Sequence, residues 1–391
     1  MEKLWKYKKI GEVCIVERGA SPRPIDKYIT DNESGINWIK IGDTSDSMYI
    51  TETAQKIIVE GMKKSRYVKP GDFLLSNSMS FGRPYILKID GCIHDGWLVL
   101  RDENALFDKR FLYYYLSSKT TYKKLKSMAV GGVVNNLNSE MVRNVIVPVP
   151  DKEEQSEIAD LFDKIKKILD DRKQELEQLD TLVKSRFVEM FGDIITGKYN
   201  YKIRKLGDVA FIGSSHRVFT TEFVESGIPF YRGTEIGELA NGIEPSEPYY
   251  ISEEHYNKLT KNNTKPRIGD LLMPSICNKG QIWMVDTDRP FYYKDGRVLC
   301  ISPNRDIFNS KYLEYFMRIK TLVEYPKLGS GSTFAEFKIF LLKDMDVLVP
   351  PRNVQNQFAD FVASVDKSKS KIQKSLEETQ LLFDSLMQKY F

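Results

Sequence analysis

Residues 147–160 read VPVPDKEEQSEIAD, and residues 347–360, which lie 200 positions later, read VLVPPRNVQNQFAD. The match continues without a gap from 147–191 against 347–391, with 12 identities in 45 positions. Unrelated chains of ordinary composition would share about 3 residues over such a length. The chain therefore contains an internal duplication, and this repeat decides the fold.

Each copy of the repeat joins a strand-like apolar run to a long helix. The prolines of VPVP and VLVPP end the strand pattern, and Asp151 with Glu154 resembles a capping box at the start of a helix. Gly192 directly after Phe191 suits the helix C-terminus. These signals enclose roughly 40 residues, which corresponds to about 60 Å of helix.

The two long helices carry a coiled-coil pattern of apolar residues. Since each seam needs a partner and the link at 192–202 is short, we predict that the two helices pair antiparallel. Residues 151–191 carry a net charge of −4 and residues 352–391 one of +1, so this pairing avoids repulsion between two acidic helices. The seam is predicted to contain Ile158, Phe162, Ile165, Leu169, Leu176, Leu179 and Val183, with Phe358, Val362, Val365, Ile372, Leu376, Phe383 and Leu386.

The expected architecture is a mixed α/β fold with an internal pseudo-two-fold duplication. Globular domains are predicted at 1–150 and 198–350, with long helices at 151–191 and 351–391. The antiparallel coiled coil of these helices is expected to join the two domains.

Composition and charge restrict the kind of protein that this chain can be. The 391 residues are 41% hydrophobic and 29% charged, which predicts a globular chain. No apolar run is long enough to span a bilayer, and the start MEKLWKYKK leads into no signal-peptide core, so we expect a cytoplasmic protein without a membrane partner. The net charge is +4, and removing the helices leaves +7 on the remaining chain, which favours an anionic partner for the globular domains.

Patterns that would indicate a catalytic or metal centre are incomplete. The segment GDIITGKY at 192–199 has the spacing of a phosphate loop but carries Tyr199 where a serine or threonine must reach magnesium. The four cysteines and three histidines lack metal-ligand spacing. We therefore predict no catalytic residue, no metal and no cofactor site in this chain.

A set of motifs spread along the chain resembles one known family. They are the repeated openings KKIGEV and RKLGDV, INWIKIGD at Ile36, IPFYRGTEI at Ile228, the duplicated VPVPDKEEQSEIA and the tail KSRFVEMFGD of the first helix. In this order they are similar to the specificity subunit of type I restriction-modification systems. The resemblance covers essentially the whole chain.

The resemblance implies a protein that is not itself an enzyme. Its two domains would be target-recognition domains, each reading one half of a bipartite asymmetric site in double-stranded DNA, at a separation fixed by the helices. Expected partners are two methyltransferase subunits, which use S-adenosylmethionine, and two motor/endonuclease subunits, which use ATP and magnesium.

Loops with the residue types that contact bases and phosphates occur in both halves. We predict DNA contacts within these sets and expect the sets to be more reliable than single members. The first set contains Arg18, Arg23, Lys40, Thr44, Lys63, Lys64, Arg66, Ser76, Asn77, Ser78, Ser80, Arg83 and His94. The second contains Ser214, Ser215, His216, Arg217, Arg232, Thr234, Ser275, Asn278, Lys279, Gln281 and Arg297.

Two further interpretations of the sequence stay open. Gln155 and Gln355, near the starts of the long helices, favour helix capping over contact with a partner subunit. The chain as a whole could also be a stand-alone DNA-binding regulator with two recognition domains, or a coiled-coil scaffold that binds only proteins. A scaffold would show no salt-dependent affinity for DNA.

Overall fold

A computed structural model describes residues 5–77, 82–129, 136–261, 265–328 and 335–391. The chain forms two compact units. The first contains Met1–Gln174 together with Gln373–Phe391, and the second contains Glu175–Ile372. The boundaries between these units fall inside the two long helices.

The helices are α1 (Ile10–Val13), α2 (Val59–Met62), α3 (Lys109–Ser117), α4 (Lys119–Ala129), α5 (Ser139–Arg143), α6 (Lys152–Phe191), α7 (Gly233–Leu239), α8 (Glu253–Leu259), α9 (Ser310–Glu324), α10 (Ile339–Asp344) and α11 (Arg352–Tyr390). The strands of the first unit are β1 (Lys6–Lys9), β2 (Ile15–Arg18), β3 (Ile29–Thr30), β4 (Ile36–Ile39), β5 (Tyr49–Ile50), β6 (Lys56–Ile57), β7 (Arg66–Val68), β8 (Phe73–Ser76), β9 (Pro84–Leu87), β10 (Gly91–Ile93), β11 (Trp97–Arg101) and β12 (Ile146–Val149). Those of the second are β13 (Gly192–Asp193), β14 (Lys198–Tyr199), β15 (Ile203–Lys205), β16 (Ala210–Gly213), β17 (Phe223–Val224), β18 (Ile228–Tyr231), β19 (Tyr249–Ile251), β20 (Leu271–Pro274), β21 (Trp283–Met284), β22 (Tyr292–Tyr293), β23 (Val298–Pro303) and β24 (Asp346–Leu348).

Each unit contains two main sheets with related strand orders. In the first unit the orders are β3-β6-β4-β10-β7 and β2-β11-β8-β9-β5. In the second they are β17-β19-β18-β22 and β16-β23-β20-β21. Strands β2 and β8 both run antiparallel to β11, and β16 and β20 both run antiparallel to β23. The carboxyl ends of β2 and β8 therefore meet at the start of β11, and those of β16 and β20 meet at the start of β23.

A Gly-Asp turn precedes both β8 and β20, with the sequence PGD at residues 70–72 and IGD at residues 268–270. Gly71 has φ +92° and Gly269 has φ +85°, values that favour glycine because a Cβ would be strained there. The carboxylate of Asp72 accepts the backbone N–H of Lys69 at 3.0 Å, and that of Asp270 accepts the N–H of Arg267 at 2.9 Å. The repeated motif is thus the turn that starts an inner strand of each sheet.

Aromatic contacts establish that the long helices pair antiparallel, as predicted. In the first unit Phe162, near the start of α6, lies 5.4 Å from Phe383 and 5.6 Å from Phe391 (ring centroids). In the second unit Phe187, near the end of α6, lies 5.3 Å from Phe358 at the start of α11. The start of each helix therefore packs against the end of the other.

Apart from Val183, the buried members of the predicted seam lie in the first half of each long helix. Buried seam residues are Ile158, Phe162, Ile165, Leu169, Val183, Phe358, Val362 and Val365, and half-buried ones are Leu176, Leu179, Ile372, Leu376, Phe383 and Leu386. The seam continues beyond the predicted Val183 to Phe187 and Phe191, which are 1% and 0% exposed. Lys369 interrupts the apolar pattern but forms an ion pair with Asp180 at 2.7 Å.

The two repeated glutamines fasten each helix start to a neighbouring loop. The carbonyl oxygen of the buried Gln155 side chain accepts the backbone N–H of Asp108 at 2.7 Å, and its NH₂ group donates to the backbone oxygens of Leu106 and Pro150. Gln355 makes the same three bonds with Asn309, Ile307 and Pro350. The expectation of helix capping is wrong, because α6 is capped by Asp151, whose carboxylate accepts the N–H of Glu154 at 2.8 Å.

Candidate nucleic-acid interface

In the first unit, the HDGW turn at residues 94–97 gathers polar side chains from several strands. This 94–97 turn lies between β10 and β11, where the topology also brings the carboxyl ends of β2 and β8. The backbone oxygen of Asp95 accepts Arg18 Nε at 3.0 Å and Asn77 Nδ2 at 2.8 Å. The carboxylate of Asp95 accepts Ser21 Oγ at 2.8 Å and Arg23 Nη2 at 3.3 Å.

The neighbouring strand β4 adds two more residues of the predicted set at this place. It runs parallel to β10, so Lys40 follows β4 beside His94. Lys40 Nζ donates to Gln55 Oε1 at 2.8 Å, and Thr44 Oγ1 donates to the Ile41 oxygen at 2.8 Å. Arg23, Lys40 and His94 line one cavity with Trp38. The structure therefore collects Arg18, Arg23, Lys40 and His94 at one surface.

The segment carrying Lys63, Lys64 and Arg66 reaches the same end of the sheets. Ser65 Oγ donates to the backbone oxygens of Ala20 at 2.7 Å and Ile93 at 3.1 Å. Lys63 and Lys64 are exposed, whereas the guanidinium of Arg66 forms an ion pair with Glu17 at 2.9 Å. Lys64 Nζ donates to the Tyr28 hydroxyl at 2.6 Å, so Lys63 is the most available of the three to a phosphate.

Other members of the first set have different environments. Ser76 and Asn77 are buried, at 0% and 1% exposed, and hold the end of β8 in place. Arg83 forms an ion pair with Asp46 at 3.3 Å and lies over the ring of Tyr85. Ser78 and Ser80 lie outside the described residues.

In the second unit, the KDGR turn at residues 294–297 occupies the equivalent position before β23. Ser214 Oγ accepts the N–H of Gly296 at 2.7 Å and donates to the Val298 oxygen at 3.2 Å. The N–H of Ser275, at the end of β20, donates to the Arg297 oxygen at 2.8 Å. The 294–297 turn thus brings Ser214, Ser275 and Arg297 together.

The other residues of the second set surround this turn or lie on adjacent loops. Ser215 Oγ donates to the Tyr293 oxygen at 2.6 Å, and the N–H of His216 donates to the Tyr292 hydroxyl at 2.9 Å. Arg217 lies over Phe219. Thr234, Asn278 and Lys279 are exposed, and Gln281 Oε1 accepts the N–H of Lys279 at 3.0 Å.

Arg232 is held rigidly beside the turn. It follows β18, whose last residue Tyr231 accepts the N–H of Lys294 at 2.9 Å. Its Nη2 lies 2.5 Å from the buried carboxylate of Glu235, and its guanidinium lies over the ring of Tyr249. This arrangement fixes a cation next to an exposed aromatic ring.

The two predicted sets, which were chosen by residue type, did not include Ser21, Asp95 or Glu336. Asp95 organises the first turn, Ser21 binds it, and Glu336 binds Arg297 in the second unit. One signal was present, since Asp95-Gly96 and Asp295-Gly296 lie 200 residues apart, in step with the repeat of the long helices. The repeat could therefore have located both turns.

His94 gives the first turn a dependence on pH. Burial lowers the pKa of His94 from its ordinary value near 6.5, and Asp95 acts in the opposite direction. Its Nδ1 lies 2.7 Å from the N–H of Gly96 and its Nε2 lies 3.2 Å from the N–H of Ile41. A neutral imidazole can accept from one of these two N–H groups, and protonation would remove that acceptor as well, so the geometry also favours the neutral ring.

We expect the first unit to lose stability as the pH falls below about 6.5. Because the folded-state pKa is the lower one, the stabilisation is complete above the unfolded-state pKa and is lost as the pH falls through the folded-state pKa. Titration of the His94 ring by NMR should give a pKa below that of an exposed histidine. The variant His94→Gln should show a smaller stability difference between pH 7.5 and 5.5, and a His94 pKa above 6.5 would contradict this account.

Within the described residues, no cluster of three or more His, Cys, Asp and Glu side chains is arranged to hold a metal ion. The four cysteines are buried free thiols. Among the same residues, no helix has the length and apolar character of a membrane span. The segment 192–199, which imitates a phosphate loop, is a hairpin in which Gly192 pairs with Tyr199.

Comparison with known proteins agrees with the arrangement of the chain. Residues 2–179 match the family described as type I restriction modification DNA specificity domain. The chain is 22% identical to the type I restriction enzyme MjaIX specificity subunit of Methanocaldococcus jannaschii, over 99% of this chain and 92% of that one. It is also 22% identical to the MjaVIII specificity subunit of the same organism, over 95% and 90%.

The fold is likewise shared with a solved structure. A chain from a structural study of complex assembly and conformational transition in the type I R-M system aligns with a TM-score of 0.65, at 18% identity, over 100% of this chain and 98% of that one. The chain is thus similar, over nearly its whole length, to specificity subunits of type I restriction-modification systems, and its residues 2–179 match the DNA specificity domain of that family.

Proposed function

We propose that the chain reads a bipartite, asymmetric sequence in double-stranded DNA, with one half-site for each unit. The observation that supports this most directly is the pair of equivalent turns, 94–97 and 294–297, each of which collects basic and hydroxyl side chains at the ends of three strands. Since the two turns differ in sequence, the two half-sites should differ as well.

The recognition segments in this proposal are residues 1–150 and 198–350. Exposed cations such as Lys63, Lys64 and Lys279 suit phosphates, which fix the position of a protein on the duplex. Arginines at the turns suit base edges in the major groove. A specificity subunit is a non-catalytic component, so methyl transfer and cleavage lie in other subunits.

The helix segments 151–191 and 351–391 are proposed to fix the spacing of the half-sites and to bind partner subunits. By analogy with the family, the partners are two methyltransferase subunits with S-adenosylmethionine and two motor/endonuclease subunits with ATP and magnesium. The antiparallel pairing supports a fixed spacing, because aromatic contacts hold the start of each helix against the end of the other. The half-site centres should lie about one helical turn, roughly 10 base pairs, apart.

Mapping methylated adenines in the host genome, with the gene intact and deleted, tests this function. We expect methylation at one asymmetric sequence of two specific parts with a spacer of constant length, and we expect deletion to abolish it. Each base pair added to the spacer rotates one half-site by about 35° and moves it by about 3.4 Å, so methylation should be lost.

Methylation mapping together with DNA-binding measurements on the purified chain separates the alternatives. Unchanged methylation after deletion, combined with nanomolar sequence-specific binding by the purified chain alone, would indicate a stand-alone regulator. Absence of any salt-dependent DNA affinity would indicate a scaffold that binds only proteins. Undiminished methylation across spacers that differ by three base pairs would contradict a fixed spacing.

A further inference from the structure

The two units differ at two positions near these turns, and in the second unit the side chains at these positions form an ion pair. Arg297 in the second unit occupies the place of Gly96 in the first, because its backbone oxygen accepts the N–H of Ser275 after β20 as that of Gly96 accepts the N–H of Asn77 after β8. Glu336 occupies the place of Asn136, since the next residues, Phe337 and Leu137, donate to the oxygens of Ser275 and Asn77.

Gly96 has no side chain, whereas the next residues, Trp97 and Val298, are both 0% exposed and pair with the last residues of β8 and β20. Arg297 instead has a side chain that is 58% exposed, and its Nη1 lies 2.9 Å from Glu336 Oε2.

The backbone at Arg297 is fixed on both sides. Its N–H donates to the Asp295 oxygen at 2.7 Å, and its own oxygen accepts the N–H of Ser275 at 2.8 Å. Phe337, next to Glu336, donates its N–H to the Ser275 oxygen at 2.7 Å. The arginine and the carboxylate that binds it are therefore both attached to the end of β20.

The carboxylate of Glu336 is arranged to stay ionised. It is bonded to Lys338 and lies 3.5 Å from Ser275 Oγ in addition to Arg297. The hydrogen bond from Lys338, followed by the charges of Lys338 and Arg297, lowers the pKa of Glu336 although its partial burial opposes this. At neutral pH the carboxylate therefore binds the guanidinium with a full charge.

This contact leaves a defined part of Arg297 available. A guanidinium has five N–H donors, and Glu336 uses only Nη1. Its Nε and Nη2 donors have no hydrogen-bond partner in the part of the chain that the structure describes. Because Glu336 already restricts the arginine side chain, binding through the remaining donors costs less side-chain entropy than it would for a freely moving arginine.

We propose that Arg297 is the specificity-determining residue of the second unit, reading a guanine through its O6 and N7 atoms in the major groove, and that Glu336 is its positioning residue. Paired donors of arginine match the two acceptors of guanine, and this is the commonest specific arginine contact with a base. The inference rests on the proposed function, because it assigns a base to one of the two half-sites. The first unit has no equivalent side chain, since Gly96 stands at the position of Arg297.

The test uses the chain in complex with its methyltransferase partner. Methylation rates are measured on duplexes in which each base pair of the mapped site is replaced in turn. Arg297→Ala and Arg297→Lys should each reduce discrimination at one G·C pair of one half-site by roughly 10- to 100-fold, and leave the other half-site unchanged. Lysine keeps the charge but lacks the paired donors, so a simple phosphate contact would tolerate Arg297→Lys.

Two further variants complete the design. Glu336→Gln should weaken discrimination at the same base pair by a smaller factor, because Arg297 remains but is no longer held by a charge. Arg289→Lys is the matched control, since Arg289 is 78% exposed and precedes β22 at the end away from the 294–297 turn. Thermal unfolding of each variant separates loss of recognition from loss of folding.

The outcomes distinguish this inference from the proposed function. If the unmodified complex shows no sequence-dependent methylation, the proposed function fails. If it is sequence-specific but Arg297→Lys keeps full discrimination, or weakens all sequences equally, the guanine assignment fails. A second half-site made only of A·T pairs would also overturn it.

Discussion

Replacing Phe191 with alanine is expected to lower the free energy of unfolding of the second unit by about 3–5 kcal/mol. Phe191 is 0% exposed. Its ring lies 4.9 Å from Phe187, 4.8 Å from Tyr312 and 5.4 Å from Phe358 (centroids). Because these rings come from α6, α9 and α11, the cavity left by alanine would open where three helices meet.

Hydrogen exchange resolved by segment is the suitable measurement, because a chain of two units need not unfold in a single step. Amides of 175–372 should lose protection in Phe191→Ala. The matched control is Val188→Ala on the same helix, where the side chain is 47% exposed and the expected change is below about 0.5 kcal/mol. A loss under 1 kcal/mol for Phe191→Ala would show that the neighbouring rings can close the cavity.

Replacing Gln355 with alanine is expected to destabilise the second unit by roughly 2–4 kcal/mol. The variant would leave the N–H of Asn309 and the oxygens of Ile307 and Pro350 without the amide that now binds them at 2.8–2.9 Å. Buried polar groups that lose their partner cost more than the hydrogen bond itself contributes. Gln357→Ala, on an exposed position of the same helix turn, is the matched control.

A second substitution at the same position tests the direction of each bond. Gln355→Glu keeps an acceptor for the Asn309 N–H but turns the donor into a carboxylate facing two backbone oxygens. We expect this to raise the pKa of the new carboxyl above about 4.3, so the variant should recover stability relative to the wild-type chain as the pH falls. Equal destabilisation at pH 4.5 and pH 7.5 would contradict the bonding described for Gln355.

The helix pair could be predicted from sequence because its signals are local and periodic. Apolar spacing identified the seam from Ile158 to Val183, and the repeat identified its partner helix. The same spacing continues from Val183 to Phe187 and Phe191, so the extension of the seam was within reach of the sequence. The packing of those two rings on Tyr312 of α9 was not, because it joins segments that lie far apart in the sequence. Helix periodicity contains no information about such a third element.

The candidate site was predictable as two sets of loops but not residue by residue. Arg18, Arg23, Lys40 and His94 do meet at one turn, because parallel and antiparallel pairing brings their strand ends together. Ser76 and Asn77 have the same residue types as base-reading side chains, yet both are buried and bind their own backbone surroundings. Hydrogen-bonding capacity can be read from a sequence, whereas the partner that satisfies it depends on the tertiary fold.

The division of the chain into units has a consequence for its synthesis on the ribosome. The second unit is one continuous segment, 175–372, whereas the first needs 373–391 to cover Phe162 and Phe111. At roughly 5–20 residues per second, translation of the 198 intervening residues takes about 10–40 s. During that time nascent residues 1–174 lack the aromatic rings that complete their core, so the unit translated first is the one that finishes folding last.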